Sequence, residues 1–363
     1  MFQAVREKNI EKIQELIASG NKINQFDKNT PLHYACASKD VEIVRVLLKN
    51  GANPNLKNGN TCLYVACKNS PKYEIIDLLL EYGANPNYLN SQSPLWNICR
   101  ENADPDLVDL LLTAGADINA KDGKTPLSFV KDEEYKEVFK CYYSFSNDFL
   151  ELLKRKEETD FTIFAEKEQI PVHKLVLQVR IGSDLEKINN VLLQETNENI
   201  HKFLKWIYGG IMESSDREII RRIAEKMGMD TLNQRQGIGG LMKDLKKLYE
   251  DDSSKDFEIF VGDDPIKIHK IILMARSDLY RQMFLNVNDS SNSVHDYTGK
   301  SLNTLKTLVK FLYTDQIDQD IDDQVIEELD DALIFYQLNE QSTITWKLDL
   351  LAKKKGFKDS NQN

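Results

Sequence analysis

The sequence predicts an α-helical solenoid followed by two copies of an α+β module, and two observations predict it. The phrase Gly51-Ala52-Asn53-Pro54-Asn55 returns as Gly83-Ala84-Asn85-Pro86-Asn87 and Gly115-Ala116-Asp117-Ile118-Asn119, every 32 residues. A fixed period of that length means stacked supersecondary units that share one core. After Ser144 the period stops, and Asp160-Phe161-Thr162-Ile163-Phe164 with His173-Lys174 returns as Asp256-Phe257-Glu258-Ile259-Phe260 with His269-Lys270. Both copies separate Asp from His by 13 residues.

In the first part, Gly20-Asn21-Lys22-Ile23-Asn24 is a weaker early copy, and a second phrase begins ten residues after each glycine. It reads Thr30-Pro31-Leu32-His33, Thr61-Cys62-Leu63-Tyr64, Ser93-Pro94-Leu95-Trp96 and Thr125-Pro126-Leu127-Ser128. Thr or Ser before Pro caps a helix whose first position tolerates a missing N–H, and the periodic glycine supplies the left-handed residue that ends the next helix. Each unit is therefore helix, turn, helix and finger. One unit cannot bury its apolar face alone, so the stack shares Ile43, Val44 and Leu47 with Ile75, Ile76, Leu79, Leu107, Val108 and Leu111. Met1 to Gly20 reads as an N-terminal half-unit and Lys124 to about Ser144 as a worn terminal one.

These residues resemble the ankyrin repeat, with shortened fingers and a one-residue insertion between paired helices at Ser70-Pro71 and Asp104-Pro105. The resemblance implies a concave face that holds a client protein. It would present Phe26, Lys28, Lys57, Asn58, Tyr88, Asn90, Lys121 and Asp122. A stack that serves only as a spacer is the alternative.

In the second part, the later copy reads as a strand over Phe257–Val261, a turn over Gly262–Pro265, a strand over Ile266–Ile268 and a helix from Lys270 to Phe284. Each copy opens on an amphipathic helix, with Phe149, Leu152 and Leu153 in one and Leu241, Leu245 and Leu248 in the other. Each closes on an aromatic phrase, Phe203-Leu204-Lys205-Trp206-Ile207-Tyr208 or Leu308-Val309-Lys310-Phe311-Leu312-Tyr313. From Lys to the closing Tyr the first copy is nine residues shorter, a loss assigned to the Tyr280–Phe284 helix and the loop after it. With Ala275-Arg276-Ser277-Asp278-Leu279, these residues resemble the BTB/POZ domain. The fold class is an α-helical ankyrin solenoid followed by two α+β BTB/POZ domains. The expected boundaries are 1–145 for the solenoid, 146–236 for a degenerate BTB copy, 241–340 for a full one and 341–363 for a C-terminal helix and tail.

The resemblance implies pairing through the opening helices, either as an intramolecular pseudo-dimer or as a homodimer. It also implies a cullin scaffold as partner of the second copy, through Leu279, Met283, Phe284 and Asp289. The family's apolar-x-Glu signature is present only as Val287-Asn288-Asp289.

Composition narrows the function. With 363 residues, 41% apolar, 29% charged and a net charge of −11, the chain is ordinary globular protein and too acidic to favour nucleic acid. No run of about 18 uncharged apolar residues crosses it, so no membrane partner is expected, and the five cysteines read as reduced packing residues of a cytoplasmic or nuclear protein. No two of the five histidines share metal-ligand spacing, and no nucleophile elbow is present; no cofactor, no metal and no catalytic residue is expected. His173 and His269 read as structural, with Asp160 and Asp256 as charge partners. Gly237-Ile238-Gly239-Gly240 reads as a flexible linker, and the nine acids from Asp315 to Asp331 as a solvated field. The expected function is a non-catalytic adaptor that brings a client to a cullin-RING ubiquitin ligase. A scaffold using its BTB copies only for self-association is the alternative.

Overall fold

A computed structural model describes the chain apart from residues 88–92, 102–103, 120–124, 166–167, 211, 213–214, 230–236, 287–291, 297, 319, 339–344, 346–347, 349–350 and 352–363. It divides into two compact units. One is Met1–Phe139 with Ile211–Arg217 and Asp230–Gly240; the other is Lys140–Gly210 with Glu218–Met229 and Leu241–Asn363.

The first unit begins with a succession of short helices: α1 (Phe2–Arg6), α2 (Ile10–Ala18), α3 (Pro31–Ala37) and α4 (Val41–Lys49). A two-residue hairpin follows, β1 (Lys57–Asn58) with β2 (Asn60–Thr61), then α5 (Cys62–Ala66), α6 (Tyr73–Glu81), α7 (Pro94–Arg100) and α8 (Pro105–Thr113). Thr30, Thr61 and Ser93 accept the N–H three residues on, as the Thr/Ser phrases predict. After Thr125 the same phrase gives only a 3-10 turn, Pro126–Phe129.

The glycine phrases close the other helix of each pair. Gly51, Gly83 and Gly115 take φ of +86°, +82° and +94°, and the next residue donates back across the last turn. Ala52 reaches Leu47 O at 3.0 Å, Ala84 reaches Leu79 O at 2.8 Å and Ala116 reaches Leu111 O at 2.9 Å. The final Asn of the phrase has a separate task. Asn24 donates to Gly51 O (3.0 Å) and accepts from Asn53 N–H (2.8 Å). Asn55 does the same with Gly83 and Asn85, and Asn87 with Gly115 and Asp117. An asparagine ladder thus locks each unit to the next, while Ile43, Val44, Leu47, Ile76, Leu79, Val108 and Leu111 form the buried spine. His33 adds another joint, with Nδ1 2.7 Å from Thr30 Oγ1 and Nε2 3.0 Å from Asn60 O. All five cysteines are buried and none forms a disulfide.

The end of the solenoid is held by residues far away in sequence. Arg217 donates to Asp117 Oδ2 at 2.7 Å, and Asp117 is the acid that replaces Asn53 and Asn85 in the period. Burial raises the Asp117 carboxyl, while the Asn119 amide and Arg217 pull it back. The glycine-rich stretch is not a linker but the opening of α14 (Gly237–Glu250), with Ile238 buried. A Cβ on Gly239 would lie 1.9 Å from Leu112 O and 2.7 Å from Gly115 N, so only glycine lets this helix approach the end of α8.

The second unit carries the duplicated part. The long helix α9 (Glu133–Arg155) buries Val138, Phe139, Tyr142, Phe145, Phe149 and Leu152 at helical spacing. The boundary expected at 145/146 lies inside it. Then come β3 (Phe161–Phe164), β4 (Gln169–Val172), α10 (Lys174–Ile181), α11 (Leu185–Leu192), α12 (Asn197–Gly209) and α13 (Arg217–Lys226). After α14 the same series returns as β5 (Phe257–Val261), β6 (Asp264–Ile268), α15 (Lys270–Arg276), α16 (Asp278–Asn286), β7 (Ser293–His295), α17 (Leu302–Thr314) and α18 (Asp323–Phe335).

The hairpins share one register: Phe161 pairs Val172 as Phe257 pairs Ile268, and Ile163 pairs Ile170 as Ile259 pairs Ile266. The turn of the later hairpin is only Gly262-Asp263, because Asp264 already pairs Val261. The helix expected from Lys270 to Phe284 is two helices, broken at Ser277, whose backbone is extended (φ −137°, ψ 118°).

The nine-residue deficit falls in the loop after the helix, as expected, but not in the helix itself. Helix α11 is present; what is short is the stretch before the next helix, 193–196 against 287–301, the latter containing β7. β7 runs parallel to β5, whereas the described part of the first sheet has two strands. Asn189 on α11 accepts the Phe164 N–H at 3.0 Å, on the edge that β7 occupies in the later copy. Among the described residues no helix is long and apolar enough to cross a membrane.

Replacing Gly239 by Ala is expected to lower stability by about 1–3 kcal/mol, the ordinary cost of overpacking. Thermal melting checks it, and an unchanged melting temperature would show that the α8–α14 approach has room to spare.

Candidate protein-interaction site

The two copies meet within the second unit, and the residues that join them recur at one spacing. Asp148 and Asp244, Asp160 and Asp256, His173 and His269, and Arg180 and Arg276 each stand 96 residues apart. Arg180 on α10 donates from Nη1 to Asp244 Oδ2 on α14 at 2.7 Å, and from Nε to Ile207 O at 3.2 Å. Arg276 on α15 donates from Nη1 to Asp148 Oδ2 on α9 at 2.5 Å. The exchange is reciprocal: the opening helix of each copy supplies the carboxylate for the other copy's arginine. All four side chains are buried.

The arginines are clamped by aromatic faces as well. Arg180 lies over Trp206 at 5.3 Å, and Arg276 over its counterpart Phe311 at 5.6 Å and over Phe145 at 4.8 Å. Arg276 also binds Asp315 Oδ1 at 2.6 Å. Burial alone would lower the Arg276 pKa, but the two carboxylates reverse this and raise it. Asp315 is the left-handed C-cap of α17, where the first copy has Gly210 as the C-cap of α12. One acid expected in a solvated field is therefore a buried ligand of arginine. A second, Glu328, accepts from Thr304 Oγ1 (2.6 Å) and Ser301 N–H (2.8 Å), and these bonds hold its carboxyl down near about 2.

Apolar packing completes the joint. Phe149, Val176, Leu241, Leu245, Leu248 and Ile272 surround one small internal space, so Phe149 of the first opening helix converges with the three leucines named from sequence on the second. Leu152 is buried and Leu153 half-buried on α9.

The two histidines sit behind this joint. His173 N–H donates to Tyr208 OH at 2.7 Å, with Nδ1 2.9 Å from the same oxygen. His269 repeats this with Tyr313 at 3.0 and 2.7 Å. On the other ring nitrogen, His173 Nε2 meets Glu157 O at 2.7 Å and His269 Nε2 meets Ser254 Oγ at 3.1 Å, and Asp160 and Asp256 act on the two rings as the charge partners expected. Asp160 and Asp256 also accept the backbone N–H of Lys174 and Lys270, each at 2.7 Å, and so hold the first turns of α10 and α15. Burial lowers both histidines, His269 to about 4.

A groove of about 570 Å³ opens where the copies abut, lined by Glu158, Asp160 and His173 from the first and by Asp256, Met283 and Phe284 among others from the second. Of the scaffold-facing residues expected from sequence, Met283 and Phe284 line this groove and Leu279 is half-buried on α16. Phe284 is also a packing residue, edge-on to Phe257 with centroids 5.0 Å apart. Asp289 lies outside the described residues. On the solenoid, Phe26 is 48% exposed and Lys28 is exposed. Lys57 and Asn58 form β1, their side chains outside the description, as are Tyr88, Asn90, Lys121 and Asp122. Among the described residues no cluster of His, Cys, Asp and Glu has the geometry to hold a metal.

Comparison with known proteins agrees with the two-part reading. The family model for ankyrin repeats matches three copies over residues 1–90 and a further repeat over 90–123, and that for the BTB/POZ domain matches 245–345. Ankyrin repeats and a BTB/POZ domain share this chain. Such modules typically mediate protein–protein interaction and are typically non-catalytic. Rabankyrin-5 from Homo sapiens and from Mus musculus is 33% identical over 92 residues, 25% of this chain. The match spans only 8% of either relative.

Sequence reading missed Asp148, Asp244, Arg180 and Arg276 as a set. The signal was present, since the 96-residue offset that aligns Asp160 and His173 with their repeats aligns these four as well.

Two measurements bear on this geometry. Arg180→Leu alone is expected to cost about 3–5 kcal/mol because it strands Asp244 in an apolar joint, whereas Arg180→Leu with Asp244→Leu regains most of that loss. Denaturant unfolding of the cycle checks it, and additive costs would mean that the pair is not coupled. The second concerns pH. A histidine with a folded pKa below its unfolded value near about 6.5 takes up its proton more readily when unfolded. Stability is therefore intact above that value and falls as pH drops toward His269's folded pKa of about 4. Melting temperature is expected to fall from pH 7 to pH 5, and to fall less in His269→Asn; equal slopes would exclude this cause.

Proposed function

We propose that residues 146–236 are a second, shortened BTB module that pairs with the BTB domain of the same chain. On this reading the ankyrin stack holds a client protein, and the paired modules present it to a cullin-RING ubiquitin ligase. The observation that carries the pairing is the reciprocal exchange of buried Asp148 and Asp244 with Arg276 and Arg180. It repeats in one chain the self-complementary contact that two identical subunits would make. A short covalent connection between the modules supplies an effective concentration of order mM, enough to favour the internal pair.

With the opening helices used internally, the scaffold contact on this reading falls to α16 of the second module. It carries Leu279 on its first turn and Leu285, which is 44% exposed. The client face is proposed at the solenoid loops around Phe26 and Lys28, continued by Lys57, Asn58, Tyr88, Asn90, Lys121 and Asp122 in the later units.

Light scattering coupled to size exclusion is expected to give a monomer of 41.8 kDa at nanomolar to micromolar concentration. A stable homodimer would replace the internal pair by an intermolecular one. Pull-down with purified cullin scaffolds is expected to retain a cullin with the unmodified chain and to lose it with Leu279→Glu, the variant's fold being checked by circular dichroism. No retention by the unmodified chain would reduce the function to a scaffold without a ubiquitin link.

A further inference from the structure

We propose that the groove between the two modules is a docking site for a short segment of a partner protein that carries two or three apolar side chains beside a Lys or Arg. The inference rests on the internal pairing proposed above and not on the cullin reading.

The groove has the size of a binding site for a few side chains, about 570 Å³. Its apolar lining comes from Leu175 of the first module and from Ile271, Met274, Met283, Phe284 and Val294 of the second. Two methionines give that wall an adaptable, polarizable surface suited to aliphatic or aromatic side chains. The polar part is strongly one-signed. Glu158 and Asp160 come from the first module and Asp256 from the second. Asp160 and Asp256 each give Oδ1 to a helix N–H, and a carboxylate accepts more than one bond. The cation in the lining, Lys270, does not answer this charge. Its Nζ is 2.9 Å from Asn292 Oδ1 and lies over the rings of Phe257 and Phe284 at 5.8 and 5.6 Å. A basic group supplied from outside is what the three carboxylates match, and charge complementarity of this kind sets partner choice and encounter rate.

The groove also has a stoichiometry. Val294 and Ser293 belong to β7, whose place in the first module is taken, among the described residues, by the α11 contact through Asn189. The same walls are therefore built once per chain, and one segment binds per molecule.

Fluorescence anisotropy with a fluorescein-labelled peptide of alternating Leu-Leu and Lys-Lys pairs tests this on the full chain, against a peptide with Glu at every Lys. The basic peptide is expected to bind at a single site and the acidic one not at all. Glu158→Gln with Asp256→Asn, which keeps the helix-capping oxygen, is expected to weaken binding about fivefold or more, and Met283→Glu likewise. Asp322→Asn with Asp323→Asn removes as many charges from α18 and its cap and is expected to change nothing. Absence of saturable binding, equal loss in the α18 variant, or no loss in the groove variants each overturns the proposal. Melting temperatures establish that the variants fold. Light scattering separates the two claims: a monomer that ignores the peptide sinks the groove alone, whereas a homodimer sinks the pairing beneath it.

Discussion

The second unit depends on two arginines that are each buried against an acid from the other module. An ion removed from water costs several kcal/mol unless its partner is in place, so neither module can leave the joint without exposing an arginine or stranding an aspartate. Apolar side chains alone would allow the helices to slide. The Arg180–Asp244 and Arg276–Asp148 bonds permit one register, and the Trp206 and Phe311 faces beneath the guanidinium groups confine it further. The histidine–tyrosine bonds support the same helices from behind, because the Asp160 and Asp256 caps and the Tyr208 and Tyr313 hydroxyls all act on the first turns of α10 and α15.

Duplication within one chain lets the modules diverge while keeping that joint. Residues up to the arginine keep one offset and those after it another, so what changed lies beyond the contact. The first copy is shorter at the stretch where the second has β7, and Asn189 binds its strand edge there. The second has Asp315 where its counterpart has Gly210. A left-handed backbone at Asp315 is tolerable for an Asp, and the bond to Arg276 repays it. The outcome is a pair with equal contacts at its centre and unequal surfaces around them.

The solenoid was legible from its letters because every signal was local. A capping Thr or Ser, a Pro at the first position and a left-handed Gly act within one turn, and the structure shows those bonds. The periodic Asn was visible as a repeat, but its role was not, because its partners belong to the next unit 27 to 30 residues on. The glycine-rich stretch misled for the opposite reason. In isolation Gly237-Ile238-Gly239-Gly240 has the composition of a linker, and only the carbonyl of Leu112, distant in sequence, explains why Gly239 has no side chain. The break at Ser277 and the survival of α11 were likewise hidden, since helical propensity does not record where a chain must turn to keep a packed face. The paired Asp and Arg residues were present at a readable spacing but carry no local mark, because a buried charge looks in sequence like a surface one.

The asparagine ladder has a consequence for how this array can change in length. Each Asn engages only the following unit, and it finds there the same Gly carbonyl and the same backbone amide. Excision or insertion of one whole period would present every surviving Asn with chemically equivalent partners, whereas a cut of any other size would break phase at the joint. Evolution can therefore lengthen or shorten such a stack in integral steps without redesigning its seams, but the last step must still end on the acid that meets Arg217.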